Sequence, residues 1–234
     1  MSPEMRSQFR EELKVLEDQT LGAFDMVVEA LDRVAEAVEQ HDIELMQLVI
    51  EDDDRIDGRY LEVHQGVLSL LARQAPVATD LRLIAALLDV IKHVERMGDQ
   101  CVNICKLLPL AGNEPPSHPS MLGKIVEMTR QARFEVSQAK QAFAGRDVDL
   151  AADLVRQDEV INQLNRECFK LAIEIGDDPD TREWAMQMML VARWLERIGD
   201  NAVDIGEQTA FVVTGLFREF TDASHPELAP PSPA

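Results

Sequence analysis

Apolar residues in this chain recur at mixed three- and four-residue steps over long stretches, the spacing that lines one face of an α-helix. Phe9, Leu13, Leu16, Phe24, Val27, Leu31, Val34 and Val38 form one such stripe and predict a first helix. His41-Asp42 interrupts it, and Asp42 stands where a side chain would cap a second helix. That helix runs to about Arg73, since Ala75-Pro76 disfavours its continuation. A third helix is predicted from about Thr79 to Leu108. The residues from Gly112 to Pro119 are dense in turn formers and read as a linker. Leu122, Ile125, Thr129, Ala132, Val136, Ala139 and Phe143 then predict a fourth helix, with Gly145 as its C-cap glycine and Asp147 as the next N-cap. The fifth helix covers about Leu150 to Ile175 and ends at Gly176. Asp178-Pro179 opens a sixth, expected to continue to about Phe220.

The pattern repeats. Glu95-Arg96-Met97-Gly98-Asp99-Gln100-Cys101-Val102-Asn103-Ile104 returns as Glu196-Arg197-Ile198-Gly199-Asp200-Asn201-Ala202-Val203-Asp204-Ile205, 101 positions later. Asp42 and Asp147, Asp53 and Asp158, and Asp57 and Asn162 are each separated by 105. The fold class that follows is all-α, six helices in two tandem three-helix bundles related by internal duplication. The expected partition is a first bundle over 1–111, a linker over 112–120, a second bundle over 121–222 and a disordered Pro-rich tail over 223–234.

Four carboxylates fall where a bundle seam calls for apolar side chains. Glu95 follows Ile84, Leu88 and Ile91 in step and precedes Gly98, Val102 and Cys105; Glu196 repeats this in helix six. Asp53 lies between Val49 and Ile56, and Asp158 between Leu154 and Ile161. Asp57, Asp99, Asp200 and Asp204 continue the same faces. Within each motif the Glu and Asp are four residues apart, about 6 Å along the helix axis. An ionised carboxylate on a seam costs several kcal/mol unless a cation, a proton or hydrogen bonds compensate. Like charges ~4 Å apart repel by about 4 kcal/mol at an effective dielectric near 20. The candidate metal ligands are therefore Asp53, Asp57, Glu95 and Asp99 in the first half, with Asp158, Glu196, Asp200 and Asp204 in the second. Oxygen-only donors favour Mg, Ca, Mn or ferric iron. Gly98 and Gly199, each costing ~1 kcal/mol in a helix interior, suggest close backbone approach beside the acids.

Charge and composition narrow the function. A net charge of −20 argues against nucleic acid and against direct phosphate binding. Cys101, Cys105 and Cys168 lack zinc-finger spacing and fit a reducing compartment. The start Met1-Ser2-Pro3-Glu4-Met5-Arg6 is not that of a signal peptide, and no apolar run nears the ~20 residues of a membrane span. No catalytic constellation is present, so an enzyme is not expected. A di-iron oxidase would need Glu-x-x-His pairs, which none of the histidines supplies.

The paired Glu-Arg-hydrophobic-Gly-Asp motif, followed by Asn103-Ile104 in one copy and Asp204-Ile205 in the other, resembles the signature of the PhoU family. Pro76-Val77-Ala78-Thr79-Asp80-Leu81-Arg82 is similar to that family's approach to its third helix, and the resemblance covers about residues 9 to 220. It implies a cytoplasmic regulator of phosphate uptake and negative control of the phosphate-starvation response. It also implies contact with the phosphate ABC transporter ATPase and a sensor histidine kinase, attachment to the membrane only through such partners, and a homodimer. In some relatives the acidic motifs bind multinuclear iron or zinc, which by position assigns that role to the eight residues named above. Asn162 in place of an aspartate weakens the second set, and Asp204 restores its charge. The alternative is a metal-free helical adaptor whose acids are structural salt bridges.

Overall fold

The computed structural model describes residues 3–111, 118–217 and 219–220. They form six long helices: α1 (Pro3–Gln40), α2 (Ile43–Arg73), α3 (Ala78–Leu107), α4 (Pro119–Gly145), α5 (Val148–Ile175) and α6 (Pro179–Thr214). A short 3-10 turn, Leu108–Ala111, extends α3. Each set of three consecutive helices packs as a bundle. The two bundles also pack on each other, α1 against α4 and α3 against α6. The expected linker over 112–120 lies outside the described residues except at its last three positions, and the tail over 223–234 lies wholly outside them.

The duplication is visible in how the helices end. His41 (φ 52°) and Arg146 (φ 55°), 105 residues apart, are the two left-handed non-glycine residues among those described. After each, an aspartate caps the next helix: Asp42 accepts from the Glu44 and Leu45 amides, Asp147 from that of Leu150. The expectation that Gly145 serves as cap glycine is corrected here. Gly145 is the last residue of α4, and Arg146 takes the left-handed position. Arg146 offsets that cost with bonds to the Phe143 carbonyl and to Glu17, and its guanidinium lies 4.7 Å from the centre of the Phe143 ring.

Helix six also ends earlier than its apolar pattern predicts, at Thr214. Gly215, at φ 74°, donates to the Phe211 carbonyl (2.8 Å) and turns the chain back, as a C-terminal glycine does. Phe217 then stacks on Phe211 with ring centres 3.8 Å apart. Phe217, and Phe220 beside Gly206, thus pack backward on α6.

Buried side chains occupy matching places in the two halves. Met46, Val49, Ile56, Val63, Val67 and Leu70 of α2 correspond to Ala151, Leu154, Ile161, Cys168, Ala172 and Ile175 of α5, each pair separated by 105. The faces of α1 and α4 that meet carry opposite charges: Asp25 pairs with Lys140 (2.6 Å), Asp32 with Arg133 (2.5 Å), and Glu17 with Arg146. Such partners place the two helices antiparallel. Between α3 and α6, His93 Nδ1 lies 2.7 Å from Asn201 Oδ1. No described helix is long and apolar enough to cross a membrane.

Candidate functional site

Each half carries an acidic patch where its second and third helices meet, and a glycine makes the approach possible. A Cβ added to Gly98 would lie 2.8 Å from Asp53 Oδ1; one added to Gly199 would lie 2.4 Å from Asp158 Oδ1. The glycines therefore admit the carboxylate of the neighbouring helix against their own backbone.

In the first half, Asp53 and Glu95 are half-buried and Asp57 and Asp99 are exposed. Burial, then Asp57, Asp99 and Glu95, pushes the Asp53 carboxyl up to about 6. Glu95 is raised by burial, then by Asp99 and Asp57, and Asp57 by burial and then Asp99. The four candidates thus share one electrostatic neighbourhood. Among the described residues none of them has an ion pair with Lys, Arg or His. Arg33 lies in the same pocket as Asp53, but bonds Asp52 and Glu29.

The second half is drier. Asp158 is 6% exposed and Glu196 9%. Burial, then Asp200, pushes the Asp158 carboxyl up to about 7 against the opposing bond from Asn162, and Glu196 adds to the rise. Glu196 is raised by burial and Asp200 and held back by its ion pair with Arg193. Asp204 stands apart from this group. Its Oδ2 lies 3.4 Å from His93 Nδ1, across the α3–α6 contact. Asn162, in place of the first half's Asp57, donates from Nδ2 to Asp158 Oδ2 at 2.7 Å.

One residue of this group was not singled out by the sequence pattern. Glu135 of α4 is fully buried, and burial, then Asp158, pushes its carboxyl up to about 9. Its Oε1 accepts from Gln131 Nε2 (3.1 Å), whereas its Oε2 has no partner and lies 2.9 Å from the position of a Cβ on Gly199. The signal was present: Glu135 stands three residues after Ala132 and four before Ala139, on the buried stripe of α4. Its counterpart 105 residues earlier is Ala30, so the duplication gave no hint of it.

The remaining candidates lie elsewhere. Cys101, Cys105 and Cys168 are buried free thiols, with Cys105 pushed up to about 12 and Cys168 to about 11 by burial; they pack as small apolar groups. His64 sits against Tyr60, ring centres 5.6 Å apart. Among the described residues no three His, Cys, Asp or Glu side chains are already arranged to hold a metal ion.

A family model described as the PhoU domain matches the chain twice, over residues 21–108 and 125–209. The chain is 28% identical over 219 residues to the phosphate-specific transport system accessory protein PhoU homolog of Clostridium acetobutylicum, covering 93% of this chain and 99% of that protein. It is 30% identical to PhoU homolog 1 of Thermotoga maritima, with 91% and 92% covered. The crystal structure of PhoU from Pseudomonas aeruginosa superposes with a TM-score of 0.82 at 26% identity, covering 89% of this chain and all of that one.

Proposed function

The chain belongs to the PhoU family, and on that premise we propose that it is a cytoplasmic regulator of phosphate uptake that restrains the phosphate-starvation response through protein contacts. The observation that carries this reading is the double PhoU-domain match, together with relatives named as accessory proteins of a phosphate-specific transport system along nearly their whole length. The partners proposed are the ATPase of the phosphate ABC transporter and a sensor histidine kinase, engaged by a homodimer. An exposed apolar strip supports a docking role: Phe169 and Ile173 of α5 and Met186 and Leu190 of α6 are each about half exposed. Arg166, Lys170 and Arg193 stand along it, three cations on a chain of net charge −20. The first half has His64, Leu68, Ala85 and Asp89 at the corresponding places.

The acidic patches fit hard cations. Their donors are oxygens only, the Asp53 and Asp158 carboxyls are pushed upward by burial and by neighbouring acids, and two buried carboxylate oxygens in the second half, Glu135 Oε2 and Asp158 Oδ1, lack partners. In this reading Asp53, Asp57, Glu95 and Asp99 hold metal in the first half, and Asp158, Glu196 and Asp200 do so in the second. Asp204 serves the α3–α6 contact in place of the metal. A bound cation supplies charge compensation that lets neighbouring helices keep their acidic faces together. The metal-free alternative draws support from the Arg193–Glu196 ion pair and from the contact of Asp204 with His93.

Co-purification of the tagged chain with the transporter ATPase, from cells grown in high and in low phosphate, tests the contact. The expected result is recovery that differs between the two conditions. Deletion of the gene with no derepression of phosphate-starvation genes would refute the regulatory role.

A further inference from the structure

Three cations and no acid line the cleft between α5 and α6, on a chain with 43 acidic and 23 basic side chains. The two helices run antiparallel there, since Ile161 meets Gly199 and Leu154 meets Gly206. Carried on by helical steps, that register sets Arg166 against Arg193, Lys170 against Leu190 and Ile173 against Met186. The cleft is thus a straight apolar trough about two turns long, roughly 10 Å, with cations on both walls. These cations remain available to a partner. The lysine ion pairs among the described residues are those of Lys14, Lys124 and Lys140, so Lys170 is left without one, and its neighbour Glu167 is held by Lys124. Arg166 bonds Glu159 and Gln163 through Nη2, and Arg193 bonds Glu196 through Nη1. Each guanidinium keeps further N–H donors, and both side chains are about half exposed. Bundle packing does not call for this set: the first half has Leu61, His64, Gln65 and Asp89 where Arg166, Phe169, Lys170 and Leu190 stand.

Resting on the docking reading above, we propose that the occupant of this trough is an amphipathic helix of the transporter ATPase whose apolar stripe is bordered by Asp and Glu. Each wall offers exposed apolar side chains four residues apart, Phe169 with Ile173 and Met186 with Leu190. That spacing suits the i, i+3, i+4 and i+7 anchors of a helix laid in a groove, and the flanking cations select acids beside those anchors. The net charge of −20 does not oppose this. With a screening length of about 8 Å at physiological ionic strength, distant acids are largely screened and the charges in contact decide. A second copy of this chain fits poorly, because two copies meeting trough to trough would set the same three cations against one another.

A photo-cross-linker at Asn165, which lines the cleft, tests the occupant. Asn165→p-benzoylphenylalanine is irradiated with purified transporter ATPase and the joined peptides are mapped by mass spectrometry. The expected cross-link lies on an ATPase helix with Asp or Glu beside its apolar stripe. Affinity for the ATPase, measured by interferometry, should fall at least tenfold in the double variant Arg166→Glu with Lys170→Glu and stay within twofold in Lys170→Arg. Both replaced side chains are exposed, so the double variant should keep its helical circular dichroism. Should it not, Lys170→Glu alone decides, with at least a threefold loss expected. A smaller loss in the deciding variant would overturn the acidic-helix assignment and leave the ATPase contact standing. A cross-link to a basic or non-helical segment, to a second copy of this chain, or to nothing at all while the ATPase still binds would do the same. Wild type that does not bind the ATPase would overturn that contact and this proposal with it.

Discussion

Asp158 Oδ1 rests against Gly199, 2.4 Å from where a Cβ on that residue would lie, and the same place is 2.9 Å from Glu135 Oε2. Replacing Gly199 by alanine therefore sets a gain of ~1 kcal/mol in helix propensity against a clash with two buried carboxylates. The clash should prevail, with a net loss of about 1–3 kcal/mol. At Gly98 the Asp53 carboxylate is half-buried and can turn outward, so Gly98→Ala should cost clearly less. Urea unfolding of both variants checks the order, and equal losses would contradict it.

The pH dependence of the metal-free protein follows from carboxyls pushed upward. Glu135 near 9, Asp158 near 7 and Asp53 near 6 all bind protons more readily folded than unfolded. Their contribution to stability is complete below their ordinary values near 4 and is lost as pH rises through the folded ones. Between about pH 5 and 9 the chelated protein should thus melt at lower temperature as pH rises, by up to about 1.4 kcal/mol per pH unit for each titrating proton. Glu135→Gln should remove the portion of this slope above pH 7. A melting temperature that is flat or rises across that range would sink the prediction.

His93 and Asn201 fasten α3 to α6 by a 2.7 Å contact in a partly buried setting. A double-mutant cycle of His93→Ala and Asn201→Ala should return a coupling of about 1 kcal/mol, the size of an intramolecular hydrogen bond. Asp204→Asn should have a smaller effect, since that carboxylate is 3.4 Å from the ring. A coupling near zero would mean that the contact between the bundles rests on the surrounding apolar packing.

Charged substitutions on the exposed strip should separate docking from folding. Phe169→Asp with Leu190→Asp alters side chains that are about half exposed, so stability should change by no more than about 1 kcal/mol. Recovery of the transporter ATPase with the tagged chain should fall at least tenfold. Undiminished recovery would place the contact on another face.

Much of this architecture was legible in the chain itself. Six apolar stripes predicted six helices, and Asp42 and Asp147 announced the caps they supply. The clustering of Asp53, Asp57, Glu95 and Asp99 could be read from helical phase, because residues on one face of each of two adjacent helices meet. Phase failed where the deciding event was local. Gly215 reversed the chain although Leu216, Phe217 and Phe220 prolonged the apolar pattern, and Arg146 displaced Gly145 from the left-handed position.

Periodicity assigns a face to each residue and duplication assigns a partner to each helix, so helix count, bundle pairing and the acidic rows were determined by the order of residues alone. Depth and neighbours across helices were not. Only packing showed that Glu135 is buried beside Asp158 and that Asp204 turns away toward His93. The physical reason is that burial and electrostatic shift depend on distances between elements remote in sequence, and those distances exist only after the helices have docked.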